Sequence, residues 1–253
     1  MEVNTLRKYN KPHLHKITIV IPTLNEALGV RRTISKIPVK ELKKQGFDYE
    51  ILVVDGGSTD ETVDVARSLG AKVIIETRKG YGRAYKTGFK YAQGDIIVTL
   101  DGDGSYPAEY IPYLVALLIK YDLDFITVDR LKLMKKGAMD MFNKLGNFIL
   151  TLLIRLLFNV KIEDSQSGMW IFRKRILKKI MPTADGMPFS EEIKIRAFMF
   201  SKRVLEVSAP YYKRLGRPKL KKIRDGIANL IHIIKLFVLL KLKVGLKDVP
   251  GGC

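Results

Sequence analysis

The chain has 253 residues, 47% hydrophobic and 28% charged, which suits one sizeable α/β domain and excludes a disordered or fibrous protein. Its formal net charge is +19, and that charge is unevenly distributed. Residues 1–129 hold 18 basic and 17 acidic side chains, whereas residues 130–253 hold 27 and 9. The second half is therefore expected to face a polyanion, such as phosphates, anionic lipid headgroups or nucleic acid. The plainer alternative is a generally lysine-rich cytosolic protein.

The single cysteine, Cys253, excludes an internal disulfide framework and is typical of a reducing compartment. Residues 1–16 are polar and basic, which is unlike a signal peptide. No uncharged apolar run reaches the roughly 20 residues that are needed to span a bilayer. We therefore expect a protein that is made in the cytoplasm and stays on that side of the membrane.

The first half of the chain alternates β-branched apolar runs with helical patterns. Strands are predicted at 17–21, 49–55, 72–76, 95–100 and 125–128. Helices are predicted between them, over 58–69, over 83–92 and from Pro107 onward. Ser58 and Glu61 have the spacing of a capping box, which predicts the start of the first of these helices. Such alternation is typical of an α/β fold with a mostly parallel sheet, whose ligands bind at the carboxyl ends of the strands.

The predicted helix over 139–159 has a narrow polar stripe and a wide apolar face. Its polar residues recur at every fourth position, namely Asn143, Asn147, Thr151, Arg155 and Asn159. Nearly all the residues between them are apolar, so one side of the helix is strongly hydrophobic. Two placements fit this pattern equally well, burial against the sheet and contact with a membrane.

A second amphipathic helix is predicted over 227–242, with lysines and arginines on both sides of it. Its 16 residues span about 24 Å, which is shorter than the roughly 30 Å hydrocarbon core of a bilayer. Short, lysine-flanked amphipathic helices suit the interface of an anionic membrane, and we favour that placement. The alternative is packing against the sheet or within a dimer.

Acidic residues follow three of the predicted strands. Asp101 and Asp103 lie one residue apart after the strand over 95–100, and both can face one hard cation such as Mg²⁺ or Mn²⁺. Such a cation would bridge a diphosphate and stabilise it as a leaving group. Asp55 and Glu26 follow two other strands, and a nucleotide base, a ribose and a metal would together explain the four carboxylates. A turn-capping role is the plainer alternative for Asp55.

Four ordered motifs carry a family resemblance: VIPTLNE from Val20, VVDGGSTD from Val53, GYGRA from Gly80 and GDIIVTLDGD from Gly94. Together they resemble the family 2 glycosyltransferases of the GT-A fold, a Rossmann-like α/β fold with a mostly parallel sheet flanked by helices. The later segments Asp129-Arg130, DSQSGMWIFR from Asp164 and RLGRPK from Arg214 resemble the branch of polyprenyl (dolichyl) phosphate mannose or glucose synthases.

The resemblance implies a role for individual residues. Those that would bind the nucleotide-sugar are Pro22, Leu24, Glu26, Asp55, Gly57, Gly82, Arg83, Asp101 and Gly102. Those that would hold the metal ion are Asp101 and Asp103, with Ser105 where the branch often has a glutamine ligand. Those that would bind the acceptor phosphate are Arg130, Arg214 and Lys219. The catalytic set is then Asp101, Asp103, Arg130 and Arg214.

The acceptor decides the mechanism. A phosphate oxygen is already ionised near neutral pH, so its attack on the anomeric carbon requires no strong general base and predicts inversion. A saccharide hydroxyl, the alternative acceptor, requires a base, for which Asp164, Glu191 and Glu192 are the candidates, each with a structural alternative. A non-enzymatic basic protein that binds membranes or nucleic acid is a third hypothesis. It leaves Asp101 and Asp103 unexplained, and the sequence contains no recognisable nucleic-acid module.

These observations predict the organisation of the chain. Residues 1–222 are expected to form the catalytic domain, with a nucleotide-sugar half over 17–129 and an acceptor half over 130–222. Residues 223–253 are expected to form an amphipathic membrane-interface helix and tail. The expected partners are a nucleotide-sugar, a polyprenyl or dolichyl phosphate and the anionic cytoplasmic face of a membrane, without nucleic acid. A homodimer or a membrane-protein partner is a further possibility that the sequence leaves open.

Overall fold

Seven strands and nine α-helices make up the described part of the chain, which in this computed structural model covers residues 15–216 and 222–245. The strands are β1 Lys16–Thr23, β2 Asp48–Asp55, β3 Lys72–Ile75, β4 Ile96–Thr99, β5 Phe125–Asp129, β6 Trp170–Arg173 and β7 Val204–Ser208. The first helices are α1 Ala27–Ser35, α2 Val39–Lys44, α3 Thr62–Ser68, α4 Tyr81–Tyr91 and α5 Ile111–Lys120. The later ones are α6 Met141–Phe158, α7 Leu177–Ile180, α8 Phe189–Phe200 and α9 Lys222–Gly245.

The strands form one mixed sheet in the order β3-β2-β1-β4-β6-β5-β7. The pairs β3–β2, β2–β1, β1–β4 and β5–β7 are parallel, and β6 runs antiparallel to β4 and β5. The predicted α/β fold with a mostly parallel sheet is therefore confirmed. The sequence prediction did not include β6 and β7, which complete the half of the sheet that follows β4.

Helices cover both faces of the sheet because its central strands are apolar on both sides. Ile19 and Ile21 of β1 face the core shared with α1, α2, α3 and α5, and Val20 between them faces the core shared with α4, α7 and α8. All three side chains are fully buried. Period-two alternation in a strand produces this division, and a sheet buried on both faces favours nearly continuous apolar runs in its strands.

A third core joins α6, α8 and α9 beside the sheet. It contains Leu150 and Ile154 of α6, Ile195 of α8, and Ile233 and Leu236 of α9. The helix α9 has 24 residues rather than the predicted 16, so it is about 36 Å long. Its inner side packs on the rest of the molecule, while its outer side exposes Ile223, Ile227, Ile231, Ile234, Val238 and Leu239.

The middle of the polar stripe of α6 points inward, whereas Asn143 and Arg155 are exposed. Asn147 and Thr151 are buried, at 4% and 5% exposure. The apolar side faces outward, with exposed Met141, Phe142, Leu145, Phe148, Ile149, Leu152 and Leu156. By length and apolar composition α6 would be able to cross a membrane, and five of its 18 residues are buried. Leu150, Ile154 and Phe158 pack in the third core, while most of the apolar side of α6 is not covered by the sheet.

The predicted capping box at Ser58 and Glu61 is wrong, because α3 begins only at Thr62 and has no side-chain N-cap. Ser58 is instead bound to Asp55: its hydroxyl donates to Oδ2 at 2.5 Å and its backbone N–H donates to Oδ1 at 2.7 Å. A buried carboxylate without hydrogen-bond donors costs more free energy than a helix end that lacks a side-chain cap, so Ser58 binds Asp55. Similarly, the helix predicted from Pro107 begins at Ile111, after one turn of 3₁₀ helix.

Candidate active site

The carboxyl ends of three neighbouring strands bring the predicted donor-site residues together. Leu24 and Glu26 follow β1, Asp55 and Gly57 lie at the end of β2, and the segment 101–105 follows β4. The backbone at Gly102 passes so close to β1 that a Cβ there would lie 3.0 Å from the carbonyl oxygen of Pro22. The structure therefore places these residues at one edge of the sheet, as the motif order predicts.

Asp101 and Asp103 are held by different partners. The Tyr81 hydroxyl donates to Asp101 Oδ1 at 3.0 Å. The Ser105 hydroxyl and backbone N–H donate to Asp103 Oδ1 at 2.6 and 3.0 Å. Burial and the neighbouring Asp103 charge raise the pKa of Asp101 to about 6. The two negative charges repel each other, and a bound divalent cation would neutralise them.

The donor set fits a metal ion that also binds substrate. The described residues contain no cluster of three or more histidine, cysteine, aspartate or glutamate side chains. Mg²⁺ in phosphate-transferring sites is commonly bound by one or two carboxylates, with substrate phosphates and waters completing the shell. Asp101 and Asp103 supply that number of ligands. Ser105 as a further ligand stays a prediction, and in this structure its hydroxyl orients Asp103.

Gly29 of α1 lies directly against the loop that carries these carboxylates. A Cβ at this position would lie 2.4 Å from the Gly102 carbonyl oxygen and 2.7 Å from Asp103 Cα. Both contacts involve backbone atoms, which cannot move aside as a flexible side chain does. The first helix therefore sets the position of the 101–105 loop.

We expect Gly29→Ala to displace the 101–105 loop and weaken the binding of Mn²⁺ with a nucleoside diphosphate at least tenfold. The reason is the overlap of the added methyl group with two backbone atoms. Isothermal titration calorimetry measures the affinity directly. The matched control is Gly226→Ala in α9, where an added Cβ has no neighbour within 4 Å. Equal affinities of the two variants would show that α1 does not set this loop.

Asp55 is fully buried and its two oxygens accept hydrogen bonds from the chain itself. The donors are the Thr23 hydroxyl at 2.9 Å, the Gly57 N–H at 3.0 Å, and the hydroxyl and N–H of Ser58. The carboxylate therefore joins the loops after β1 and β2, which fits the turn-capping alternative. A direct contact of Asp55 with the nucleotide stays a prediction.

The start of α4 is packed against the loop before α8. A Cβ at Gly82 would lie 2.6 Å from Phe189 Cβ and 2.8 Å from the Ala184 carbonyl oxygen. Arg83 forms an ion pair with Asp185, which also binds Lys86 at 2.7 Å. Gly82 thus permits close packing, and Arg83 is held by an acidic partner.

Arg130 lies in a buried ion pair with Asp164. Its Nε donates to Asp164 Oδ2 at 2.6 Å and its Nη2 donates to Oδ1 at 2.8 Å. The Tyr211 ring lies against the other side of the guanidinium, 5.2 Å from Cζ to the ring centroid. Although burial opposes ionisation, the charge and hydrogen bonds of Arg130 hold the pKa of Asp164 well below its usual range. Asp164 is therefore ionised near neutral pH, and its role in this structure is to hold Arg130.

The other candidate bases lie in the core of the molecule. Burial raises the pKa of Glu191 to about 8, and its carboxylate accepts a hydrogen bond from Gln166 at 2.9 Å. Glu192 binds His232 at 2.8 Å and Arg196 at 2.7 Å, and it caps the backbone at 183–184. These contacts fit the structural alternative for both glutamates.

Arg214 reaches across the donor site from the loop after β7. Its Nη2 donates to Glu26 Oε1 at 2.9 Å, and its Nη1 lies 3.5 Å from Asp103 Oδ2. The same loop is fixed by Leu215 N–H, which donates to the Asp103 carbonyl oxygen at 2.9 Å. A residue predicted for the acceptor thus meets one residue predicted for the nucleotide-sugar and one predicted for the metal ion. Lys219 lies outside the described residues.

A cleft of about 650 Å³ lies between α6 and α9. Its charged lining residues are the cations Arg130, Lys213 and Arg214 and the carboxylates Asp140 and Asp225. Its apolar lining residues include Phe142, Ile149, Leu150, Ile223, Ile227 and Leu230. Because Arg130 is 7% exposed while most of the apolar residues are exposed, the cleft leads from an apolar surface to a buried cation. We call it the α6–α9 cleft.

The sequence prediction missed several residues of this region. The tyrosines Tyr81, Tyr106 and Tyr211 surround Asp101 and Arg130, and Lys194 lies beneath them in α8. The periodic positions of Asn147 and Asn229 in otherwise apolar helices were a signal that could have identified inward-facing polar contacts. The tyrosines and Lys194 carry no such signal.

The chain belongs to glycosyl transferase family 2, whose family model matches residues 18–181. Its fold is the GT-A fold that this family resemblance implied. A dolichyl-phosphate hexose transferase of Haloferax volcanii is 33% identical over 222 residues, which are 87% of this chain and 93% of the relative. An undecaprenyl-phosphate 4-deoxy-4-formamido-L-arabinose transferase of Enterobacter is 29% identical over 87% of this chain and 66% of its own length.

Solved structures support the same fold. Glucosyl-3-phosphoglycerate synthase of Mycobacterium tuberculosis, in complex with Mn²⁺, uridine diphosphate and glucosyl-3-phosphoglycerate, superposes with a TM-score of 0.67. The superposition covers 89% of this chain and 86% of the synthase chain, and the two sequences are 23% identical. At that level of identity the likeness establishes the fold alone.

Proposed function

We propose that this enzyme transfers a hexose, with inversion, from a nucleotide-sugar of the GDP-mannose or UDP-glucose type to a polyprenyl or dolichyl phosphate at the cytoplasmic face of a membrane. One observation carries the choice of acceptor. The α6–α9 cleft joins an exposed apolar surface to two arginines beside the predicted metal site. The polyprenyl-phosphate substrates named for two relatives agree with it.

The shape and chemistry of the α6–α9 cleft match a lipid with one anionic end. Its walls contain Ile149 and Leu150 on α6 and Ile227 and Leu230 on α9, which suit an isoprenoid chain. Its cationic part contains Arg130, Lys213 and Arg214, which suit a phosphate. A free sugar acceptor would have no use for apolar walls of this length.

The donor would lie at the carboxyl ends of β1, β2 and β4. Asp101 and Asp103 would hold Mg²⁺ or Mn²⁺, which supplies charge stabilisation for the departing nucleoside diphosphate. Ser105 would orient Asp103, and Glu26 would accept hydrogen bonds from the nucleoside once Arg214 turns away from it. The short distance from Arg214 to Asp103 supports a position of the acceptor phosphate next to the donor diphosphate.

The acceptor oxygen would attack without a protein base. A phosphate monoester is already anionic near neutral pH, so the enzyme's task is to bind two anions side by side. Arg130 would contact the acceptor phosphate through the part of its guanidinium that Asp164 does not bind. Arg214 would offset the charge between acceptor and donor, and Lys219 would join it. The depressed pKa of Asp164 supports a mechanism in which that residue takes up no proton.

The outer faces of α6 and α9 would rest in the membrane interface. They expose large apolar side chains on both walls of the α6–α9 cleft, and contiguous exposed patches of this kind mark interaction surfaces. The excess of basic residues after position 130 supports an anionic lipid surface as the partner. Peripheral binding with the α6–α9 cleft open to the lipid would let the acceptor enter from the membrane.

The test of this function is a product assay. The full-length protein is incubated with Mn²⁺ or Mg²⁺, a panel of nucleotide-sugars and a polyprenyl monophosphate in detergent, and lipid products are identified by mass spectrometry. We expect a glycosyl lipid phosphate of inverted anomeric configuration with one donor. Transfer onto a saccharide, with no lipid product from any donor, would establish the saccharide-hydroxyl reaction instead.

We expect the combined variant Phe148→Glu, Leu152→Glu and Leu156→Glu to bind anionic liposomes at least tenfold more weakly than the unaltered protein. These side chains are 62%, 44% and 73% exposed on α6, so the change leaves the core intact. Each substitution removes an apolar contact worth about 1.5–3 kcal/mol when buried and adds a repelled charge. Flotation on phosphatidylserine vesicles measures the binding.

The matched control places the same three charges elsewhere, as Tyr91→Glu, Tyr113→Glu and Tyr121→Glu. These tyrosines are 48%, 55% and 54% exposed on or beside α4 and α5. The control should float nearly as well as the unaltered protein, because only net charge has changed. Equal losses in both variants would show that charge alone, and not the α6 face, directs membrane binding.

A further inference from the structure

A lysine is fully buried in the core behind Arg130. Lys194 lies on α8 and has no exposed surface. Lysine is among the residues least often buried, because its ammonium must find partners inside the protein. Its Nζ donates to the Ser167 carbonyl oxygen at 2.6 Å and to the Asp164 carbonyl oxygen at 3.3 Å. One ammonium group therefore joins both ends of the turn formed by residues 164–167.

This turn, which we call the 164–167 turn, connects the elements around the α6–α9 cleft. Asp164 binds Arg130 and accepts a hydrogen bond from Asn147 of α6 at 2.8 Å. Gln166 accepts one from Asn229 of α9 at 3.0 Å. Asn147 of α6 and Asn229 of α9 thus both donate hydrogen bonds to the 164–167 turn. Any displacement of the turn would move Asp164, and with it the guanidinium of Arg130.

The turn also leads to the predicted metal site. Its next residue, Gly168, has no room for a side chain, because a Cβ would lie 2.6 Å from the Tyr81 hydroxyl and 3.2 Å from Asp101 Oδ1. The Ser167 carbonyl oxygen additionally accepts hydrogen bonds from Trp170 Nε1 and Ser190 Oγ, both at 2.9 Å. Lys194 is the third donor to this oxygen and also donates to the Asp164 carbonyl oxygen, so its removal would weaken the hold on both ends of the turn.

We propose that Lys194 is a positioning residue for the acceptor, which holds the 164–167 turn so that Asp164 presents Arg130 to the acceptor phosphate. The inference rests on the proposed function, since it takes Arg130 as a phosphate-binding residue. Lys194 acts through the turn and touches neither substrate. The expected defect on its loss is therefore in acceptor binding, with donor binding unchanged.

The charges around Lys194 make this role dependent on pH. The groups that face it are Asp164 on the turn, Arg130 after β5, Glu206 on β7 and Glu191 on α8. Burial lowers the pKa of Lys194 to about 7, although Asp164 opposes that shift. The ammonium is therefore charged below pH 7 and loses its proton as the pH rises above it. The hydrogen bonds from Lys194 Nζ to the carbonyl oxygens of Asp164 and Ser167 therefore weaken as the pH rises.

The test compares Lys194→Met, which keeps the chain length and removes the donors, with the unaltered full-length enzyme. We expect the KM for polyprenyl monophosphate in detergent to rise about tenfold, and the Kd of the nucleoside diphosphate with Mn²⁺ to change less than twofold. In the unaltered enzyme the acceptor KM should also rise between pH 7 and pH 9, and the rise should be smaller in the variant, in which Glu191 but not Lys194 titrates in this range. The control Ile180→Ala removes core packing in α7 and should leave both constants unchanged.

Three outcomes overturn the inference. An unchanged acceptor KM in Lys194→Met, with an active unaltered enzyme, shows that the lysine is only structural. Equal weakening of donor and acceptor binding in Lys194→Met also shows that the lysine is only structural, because a general loss of order in the protein would affect both sites. If the unaltered enzyme makes no lipid product, the proposed function fails and the inference fails with it. Should Lys194→Met not fold, the pH profile of the unaltered enzyme decides, because an acceptor KM that does not rise between pH 7 and pH 9 overturns the inference.

Discussion

Asp103→Asn is expected to lower kcat/KM for sugar transfer about a thousandfold, equivalent to about 4 kcal/mol of transition-state stabilisation. The substitution keeps the shape of the side chain and an oxygen that can accept from Ser105, which donates at 2.6 Å. It removes one negative charge from the carboxylate pair, and with it most of the attraction for a divalent cation. Initial rates at saturating Mn²⁺ and donor measure the effect.

A second measurement separates metal loss from unfolding. A ligand that binds the folded state raises Tm, so Mn²⁺ with a nucleoside diphosphate should stabilise the unaltered protein and leave the variant unchanged. Asp122→Asn, at an exposed carboxylate near the amino ends of β4 and β5, at the opposite edge of the sheet, is the matched control and should keep full activity. An Asp103→Asn enzyme with more than a tenth of normal activity would rule out the assignment of Asp103 to the metal.

Arg130→Met is expected to abolish transfer and also to destabilise the fold. Asp164 has no exposed surface, and removal of its arginine leaves a buried charge whose main partner is gone. Breaking one side of a buried ion pair costs about 3–5 kcal/mol. Thermal unfolding and the acceptor-dependent rate should both report the change, with a fall in rate of at least a hundredfold.

The double variant Arg130→Met with Asp164→Asn separates the two effects. The neutral amide no longer requires a cationic partner, and it can still accept the hydrogen bond from Asn147. We therefore expect it to recover a large part of the lost unfolding free energy while transfer stays absent. Recovery of transfer together with stability would show that Arg130 has no role beyond holding the fold.

Sequence reasoning predicted that the proposed donor-site residues lie at one edge of the sheet, because the signals there are local. The β-branched runs of β1, β2 and β4 are each followed by acidic residues, and adjacent parallel strands must bring those residues to one edge. The same reasoning misjudged Ser58 because it considered only the helix that follows. In the structure the Ser58 hydroxyl instead donates a hydrogen bond to Asp55, a buried carboxylate that the fold places next to Ser58.

The acceptor half depended on contacts that the sequence does not encode locally. The antiparallel strand β6 has a single β-branched residue, Ile171, whereas β3 and β4, which are equally short, were predicted from runs of such residues. The period of α6 was evident, but its direction was decided by Asp164 and Ser165, which bind Asn147 and Thr151 and so turn the polar stripe inward. Lys194 was one of many lysines, and only its burial against the 164–167 turn distinguishes it.

The two apolar walls of the α6–α9 cleft have a kinetic consequence for the proposed reaction. A substrate that enters between exposed faces of α6 and α9 arrives by lateral diffusion within the lipid layer, without crossing water. The concentration that governs saturation is then the mole fraction of acceptor in that layer. Adding inert phospholipid at fixed total acceptor should slow transfer by surface dilution, whereas adding buffer should leave the rate per enzyme unchanged.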